Sequence, residues 1–117
     1  MTKVNVSEYN DRIYFEASGH ATLDGDSGTV GAIESQNQSE RVCAAISILM
    51  LAAAHRFKQM ESDGDFYSSS ITLENGYALF DIEPREDIRE RVAEIIEMLC
   101  SGISLLEEHY PELITLT

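Results

Sequence analysis

The pair Asn75-Gly76 stands between two runs rich in β-branched and aromatic residues, Phe66 to Leu73 and Tyr77 to Ile82. Asn-Gly carries the backbone through a tight hairpin more readily than almost any other dipeptide, because both residues tolerate the left-handed conformations such turns use. The spacing therefore predicts a β-hairpin here, whose apolar positions need a covering layer. A second hairpin is expected earlier in the chain, where Val4 to Tyr9 and Arg12 to Ala17 flank the turn-prone pair Asn10-Asp11.

Each hairpin is followed by a helical pattern. Ser39 is placed to cap a helix whose Glu40 suits the positive end of the dipole, and Val42 to Met60 reads as apolar nearly all round, hence buried on most sides. Ser35 followed by Gln38 offers a rival start one turn earlier, and Glu61 to Asp65 breaks the pattern. Pro84 opens the last helix with Arg85, Glu86 and Asp87 in its first turn; Ile88, Val92, Ile95, Ile96, Leu99, Ile103 and Leu106 form one stripe, and Tyr110-Pro111 ends it. The order β-β-α-β-β-α predicts an α+β fold, an antiparallel sheet with two helices packed on one face. With 117 residues, 44% of them hydrophobic, one modest core and a single domain over residues 1–117 are expected.

Between Gly19-His20-Ala21 and the first helix lies Thr22 to Gln38, dense in Gly, Ser, Asp, Asn and Gln. Connections beyond roughly 12 to 15 residues are usually functional or disordered, so this loop is read as mobile without substrate and ordered over a bound peptide.

Eight Lys and Arg against 21 Asp and Glu leave a formal charge of −13. Such a field repels phosphate backbones and anionic membranes, which argues against direct nucleic-acid binding; it favours either a basic partner or solubility alone. Val42 to Ala54, the longest uncharged apolar-rich run, has 13 residues, short of the roughly 18 to 20 that cross a bilayer. The first residues carry no basic segment followed by an apolar stretch, and two cysteines, Cys43 and Cys100, make no disulfide framework, so a cytoplasmic protein with reduced thiols is expected.

No metal or cofactor is implied. Asp24-Gly25-Asp26-Ser27-Gly28 superficially matches a calcium loop, but the required glycine falls on Thr29 and the closing glutamate on Ser35. His55 and His109, near the ends of the two helices, read as structural, whereas His20 follows a glycine and opens the long loop, a place from which catalytic groups are commonly presented. Cys43, one turn inside the expected helix start, is either a thiolate nucleophile favoured by the dipole or a small core residue among Val42, Ala44 and Ala45. Cys100, mid-helix among Ile96, Leu99 and Ile103, reads as core.

Three strings considered together, Ser18-Gly19-His20-Ala21, Glu40-Arg41-Val42-Cys43-Ala44-Ala45-Ile46-Ser47 and Gly102-Ile103-Ser104-Leu105-Leu106-Glu107-Glu108-His109-Tyr110-Pro111-Glu112, resemble the ribosomal-processing cysteine protease (Prp) family over most of the chain. The Val-Cys-Ala-Ala-Ile-Ser string is the specific part. The resemblance implies a small homodimeric endopeptidase of the bacterial cytoplasm that removes a short N-terminal extension from ribosomal protein L-twenty-seven; the acidic surface would attract a basic extension of that kind. By the same resemblance Cys43 is the nucleophile and His20 its general base, Gly19 and Ser47 are supporting residues, and Glu40 stands where the family usually carries Asp. The loop between His20 and Cys43 is longer than in the typical member, which leaves it a lid, a substrate-selecting loop or an unordered insertion. In this chemistry the thiolate attacks the peptide carbonyl, the imidazole donates to the leaving amine, and the same imidazole then activates water. Backbone N–H groups at the expected start of the Cys43 helix would receive the oxyanion. Two other readings share these residues: a phage-type maturation protease acting on a capsid or scaffold protein, and a catalytically silent acidic module that binds basic ribosomal or phage proteins.

Overall fold

The structure, a computed structural model, describes residues 1–20 and 30–117, with only the backbone course described over 30–36. Alternation of apolar and polar residues builds strands β1 (Thr2–Tyr9), β2 (Arg12–Ser18), β3 (Phe66–Glu74) and β4 (Tyr77–Pro84), joined as the two expected hairpins. Asn10 and Asp11 both take positive φ, 47° and 65°, and at the other hairpin Gly76 does so at 76°. Helix α1 (Val30–Ser62) lies between the hairpins, and helix α2 (Arg89–His109) follows the second.

The α+β class and the helix-covered sheet are as expected, but the sheet is mixed, because residues past Tyr110-Pro111 form a further strand, β5 (Ile114–Leu116). It runs parallel to β1, pairing Thr2 with Ile114 and Val4 with Leu116, and completes the order β3-β4-β2-β1-β5. Three residues are too few to show a period, so the strand carries no pattern of its own in the sequence.

Two helix boundaries also move. The expected loop Thr22 to Gln38 ends sooner, since Val30 to Gln38 is already helical, and Ser39 is a buried residue within α1 instead of its cap. The rest of that loop, and with it the Asp24 to Gly28 string, lies outside the described residues. Extending a helix adds one hydrogen bond per residue fixed, so a segment of indifferent composition can be carried by the packed turns beyond it. At α2, Pro84 is the buried last residue of β4, facing Phe66 across the ladder, and the helix begins only at Arg89. The Arg85 N–H donates to the Asp65 carbonyl at 2.9 Å, which ties the entry to α2 to the exit from α1.

The core lies between one sheet face and the two helices. Ile13, Phe15 and Ala17 of β2 face Ile82, Phe80 and Ala78 of β4 as register partners, and all six are buried. Phe15 stacks on Phe80 at 5.8 Å, and Phe57 of α1 meets Phe80 edge-on at 5.2 Å. Along this double row the large isoleucine and phenylalanine pairs give way to a pair of alanines, so the core is well filled at one end of the sheet and thinly filled at the other. Helix α1 buries a stripe, Val42, Ile46, Met50, Ala53, Ala54, Phe57 and Met60. Contrary to the expectation of burial on most sides, Ile48 and Leu51 are 63% and 52% exposed, because the sheet covers only one side of the helix. Among the described residues no helix is long and apolar enough to cross a membrane.

Candidate active site

The thin end of the core opens into a cavity of about 130 Å³. The alanine rung, Ala17 and Ala78, lines it together with α1, Thr2, the residues that follow β2 and the β3–β4 turn. Helix α1 contributes Cys43, Ile46, Ser47 and Met50, the i, i+3, i+4, i+7 spacing that places side chains on one helix face. His20 and Gly19 enter from the end of β2, and Leu73, Glu74, Asn75, Gly76 and Tyr77 come from the second hairpin.

Placement of His20 follows from contacts made by its neighbours. Gly19 has φ +90°, and a Cβ there would lie 2.6 Å from the Met1 carbonyl oxygen, so this crossing of two backbones requires glycine. The Gly19 N–H donates to the Gly76 carbonyl at 2.9 Å. Its own carbonyl accepts the Thr2 hydroxyl at 3.0 Å, and the Thr2 N–H in turn donates to the Leu113 carbonyl at 2.9 Å. Thr2 is 2% exposed, so its hydroxyl has little access to water and the Gly19 carbonyl satisfies it. Beyond this anchored glycine the His20 ring rests over Gly76, where a Cβ would meet the ring Nε2 at 2.8 Å and Cε1 at 3.1 Å.

Of the residues singled out from the sequence, Gly19, His20, Cys43 and Ser47 are brought to one cavity. Glu40 is exposed and lies outside the cavity lining. Cys100 is half-buried against the core on α2, away from the cavity, and burial, reinforced by the charge of Glu97, pushes its thiol pKa up. The electrostatic expectation for Cys43 is corrected by the helix boundary. With α1 starting at Val30, Cys43 lies about three and a half turns inside it, and a helix dipole acts only over the first turn. The N–H groups of that stretch are committed to the helix ladder, so the start of α1 supplies no oxyanion donors beside Cys43.

Reading the sequence missed Thr2, Glu74, Asn75, Gly76 and Tyr77. Thr2 carried no signal, and Asn75-Gly76 signalled only a turn. Tyr77 donates to the Glu16 carboxylate at 3.0 Å, and Tyr14 donates to the same oxygen at 3.0 Å. The bond to Glu16 is the main cause raising the Tyr77 pKa, whereas for Tyr14 desolvation comes first and the value is pushed up to about 12. Among the described residues no group of three or more His, Cys, Asp or Glu is arranged to hold a metal.

Comparison with known proteins agrees with this fold. Among solved structures, the chain is similar to the essential ribosomal processing protease Prp from S. aureus in complex with a substrate peptide, at 17% identity and a TM-score of 0.62, covering 100% of this chain and 98% of that one. The same S. aureus protease with a covalently linked product peptide gives 17% identity and a TM-score of 0.63 over the same shares. SMU.848 from Streptococcus mutans gives 23% identity and a TM-score of 0.60, covering 100% of this chain and 92% of that one. These likenesses show the fold. No similar sequence was found among curated proteins. The family model for cysteine protease Prp matches residues 1–115, nearly the whole chain including both strings around His20 and Cys43, and the chain therefore belongs to the Prp family of cysteine proteases.

Proposed function

We propose that this enzyme is a cytoplasmic endopeptidase that removes a short basic N-terminal extension from a ribosomal protein of the L-twenty-seven type, with Cys43 as nucleophile and His20 as general base and acid. The observation that carries this reading is the convergence of His20 and Cys43 on one cavity while the other thiol, Cys100, is held away from it. His20 takes the Cys43 proton, and the Sγ thiolate attacks the scissile carbonyl carbon. His20 then returns the proton to the leaving amine, and water activated by the same ring releases the acyl group.

The cavity wall agrees with a basic substrate: Glu74 stands at its rim within a chain of net charge −13. Gly19 serves by letting the backbone pass Met1 on its way to His20. Ser47, one turn beyond Cys43 and exposed on the same helix face, is placed to contact the peptide. Glu40 contributes charge from outside the cavity. The active form is proposed to be a homodimer, with Ile48, Leu51, Met98 and Leu105, all more than half exposed on the two helices, as the surface a second copy would cover.

A single-turnover assay on a synthetic peptide spanning such an extension, read by mass, tests the chemistry. Cys43→Ala and His20→Ala should each abolish cleavage, a loss of at least about a thousandfold, with the fold retained. Glu40→Gln should be mild. Iodoacetamide at limiting concentration should label Cys43 before Cys100, whose thiolate is suppressed by burial. Undiminished cleavage by Cys43→Ala would overturn the assignment.

A further inference from the structure

We propose that Gly76, in the β3–β4 turn, is a positioning residue for His20, and that its lack of a side chain sets where the imidazole stands. The proposal rests on reading His20 as the catalytic base. Two independent contacts join this turn to the His20 segment. Its carbonyl accepts the Gly19 N–H at 2.9 Å, fixing the backbone just before His20, and its Cα face supports the ring itself. A Cβ on Gly76 would lie 2.8, 3.1 and 3.4 Å from Nε2, Cε1 and Cδ2 of His20, so one edge of the imidazole occupies the volume that any other residue would fill.

What gives way on substitution can be read from the same geometry. The atoms in collision are the far end of a side chain that is itself exposed, and the Gly19 to Gly76 hydrogen bond involves only main-chain atoms. Swinging the ring is easier than moving the ladder. Gly76→Ala therefore keeps the hairpin and displaces the imidazole by several tenths of an ångström or rotates it away. General-base catalysis is steep in that coordinate, and a misplacement near 1 Å costs on the order of a hundredfold. The substitution acts on the rate of the chemical step and leaves peptide binding, which involves the rest of the cavity, close to unchanged.

Gly76 also has φ +76°, which by itself strains an alanine, and the molecule contains a matched control. Gly64, between α1 and β3, has φ +79° with nothing within 4 Å of the place its Cβ would take. Gly64→Ala thus carries the same backbone strain without the ring contact. The experiment compares wild type, Gly76→Ala and Gly64→Ala by thermal denaturation, by the His20 Cε1–H resonance in NMR, and by kcat and KM on the synthetic extension peptide. Both variants should lose similar stability. Only Gly76→Ala should shift the His20 resonance, with kcat reduced roughly 10 to 100-fold and KM within about twofold. An unmoved His20 resonance, or a kcat equal to that of Gly64→Ala, overturns the proposal. If wild type does not cleave the peptide, the proposed substrate fails separately, and the resonance still decides whether Gly76 places the ring.

Discussion

The two ends of the sheet are built on opposite principles. At the β1–β2 turn, charged side chains fill the space between strands. Arg12 Nε donates to Asp81 at 2.8 Å, Arg12 Nη1 to Ser68 at 2.6 Å, Tyr9 to Asp81 at 2.9 Å, and Arg89 to the Asp11 carbonyl at 2.7 Å. At the β3–β4 turn the strands are joined to β2 by a main-chain bond between glycines, and the side chains beneath shrink to Ala17 and Ala78. Side-chain ties dominate at one end, whereas the other, beside the Thr2–Gly19 and Tyr77–Glu16 bonds, relies on a close backbone approach that leaves a cavity. A cavity thus results from local economy of side-chain volume, with position supplied by main chain that cannot easily shift.

If this contrast is right, the glycine-built end should be the less tolerant. Gly19→Ala meets the Met1 carbonyl, which is backbone, at φ +90°. It should cost about 2 kcal/mol or more, with at least tenfold loss of cleavage, as read by denaturant unfolding and the peptide assay. Full activity and stability in this variant would remove the distinction between the two ends. Arg12→Ala at the other end removes partly exposed ties to Asp81 and Ser68, the pair with Asp81 being about one-fifth exposed. A loss of about 1 kcal/mol, or a few degrees in Tm, is expected with cleavage unchanged; a comparable loss of activity would show that the ends are coupled.

The smallest effect concerns pH. Below pH 10 Tyr14 is protonated in both the folded and the unfolded chain, but between 10 and about 12 the folded protein still holds its proton while the unfolded chain has lost it. The folded state then binds more protons, so stability falls as pH rises through this window. Tyr14→Phe should make that decline shallower in chemical denaturation at pH 9 to 12. Part of the slope should remain, because Tyr77 bonds to the same Glu16 oxygen and is raised as well.

Much of this architecture was legible in the residues. The turn pairs Asn10-Asp11 and Asn75-Gly76 and the stripe of Val92, Ile96, Leu99 and Ile103 mark elements whose local chemistry and burial agree. What could not be read had no local cause. β5 exists because β1 offers an edge; α1 begins at Val30 although its first turns resemble a polar loop in composition; Pro84 suits a helix start but completes a strand instead. At the site, His20 and Cys43 stood out as chemical types, but the Cys43 environment depended on a helix boundary that the sequence left ambiguous. Gly76 fully explained a turn, and that explanation concealed its contact with His20.

The parallel pairing of β1 with β5 bears on how the enzyme comes into being on the ribosome. The β1–β2 hairpin emerges early, yet the Leu113 carbonyl that accepts the Thr2 N–H, and Ile114 beside it, are synthesised after both helices. These are among the most sequence-distant contacts in the molecule, and such contacts form late because a long loop must close first. The clamp of Thr2 on Gly19 therefore matures only when the far strand docks. A nascent chain would carry both His20 and Cys43 well before the docking of β5 secures the Thr2 clamp, so the proposed cleavage would wait until synthesis has passed residue 114.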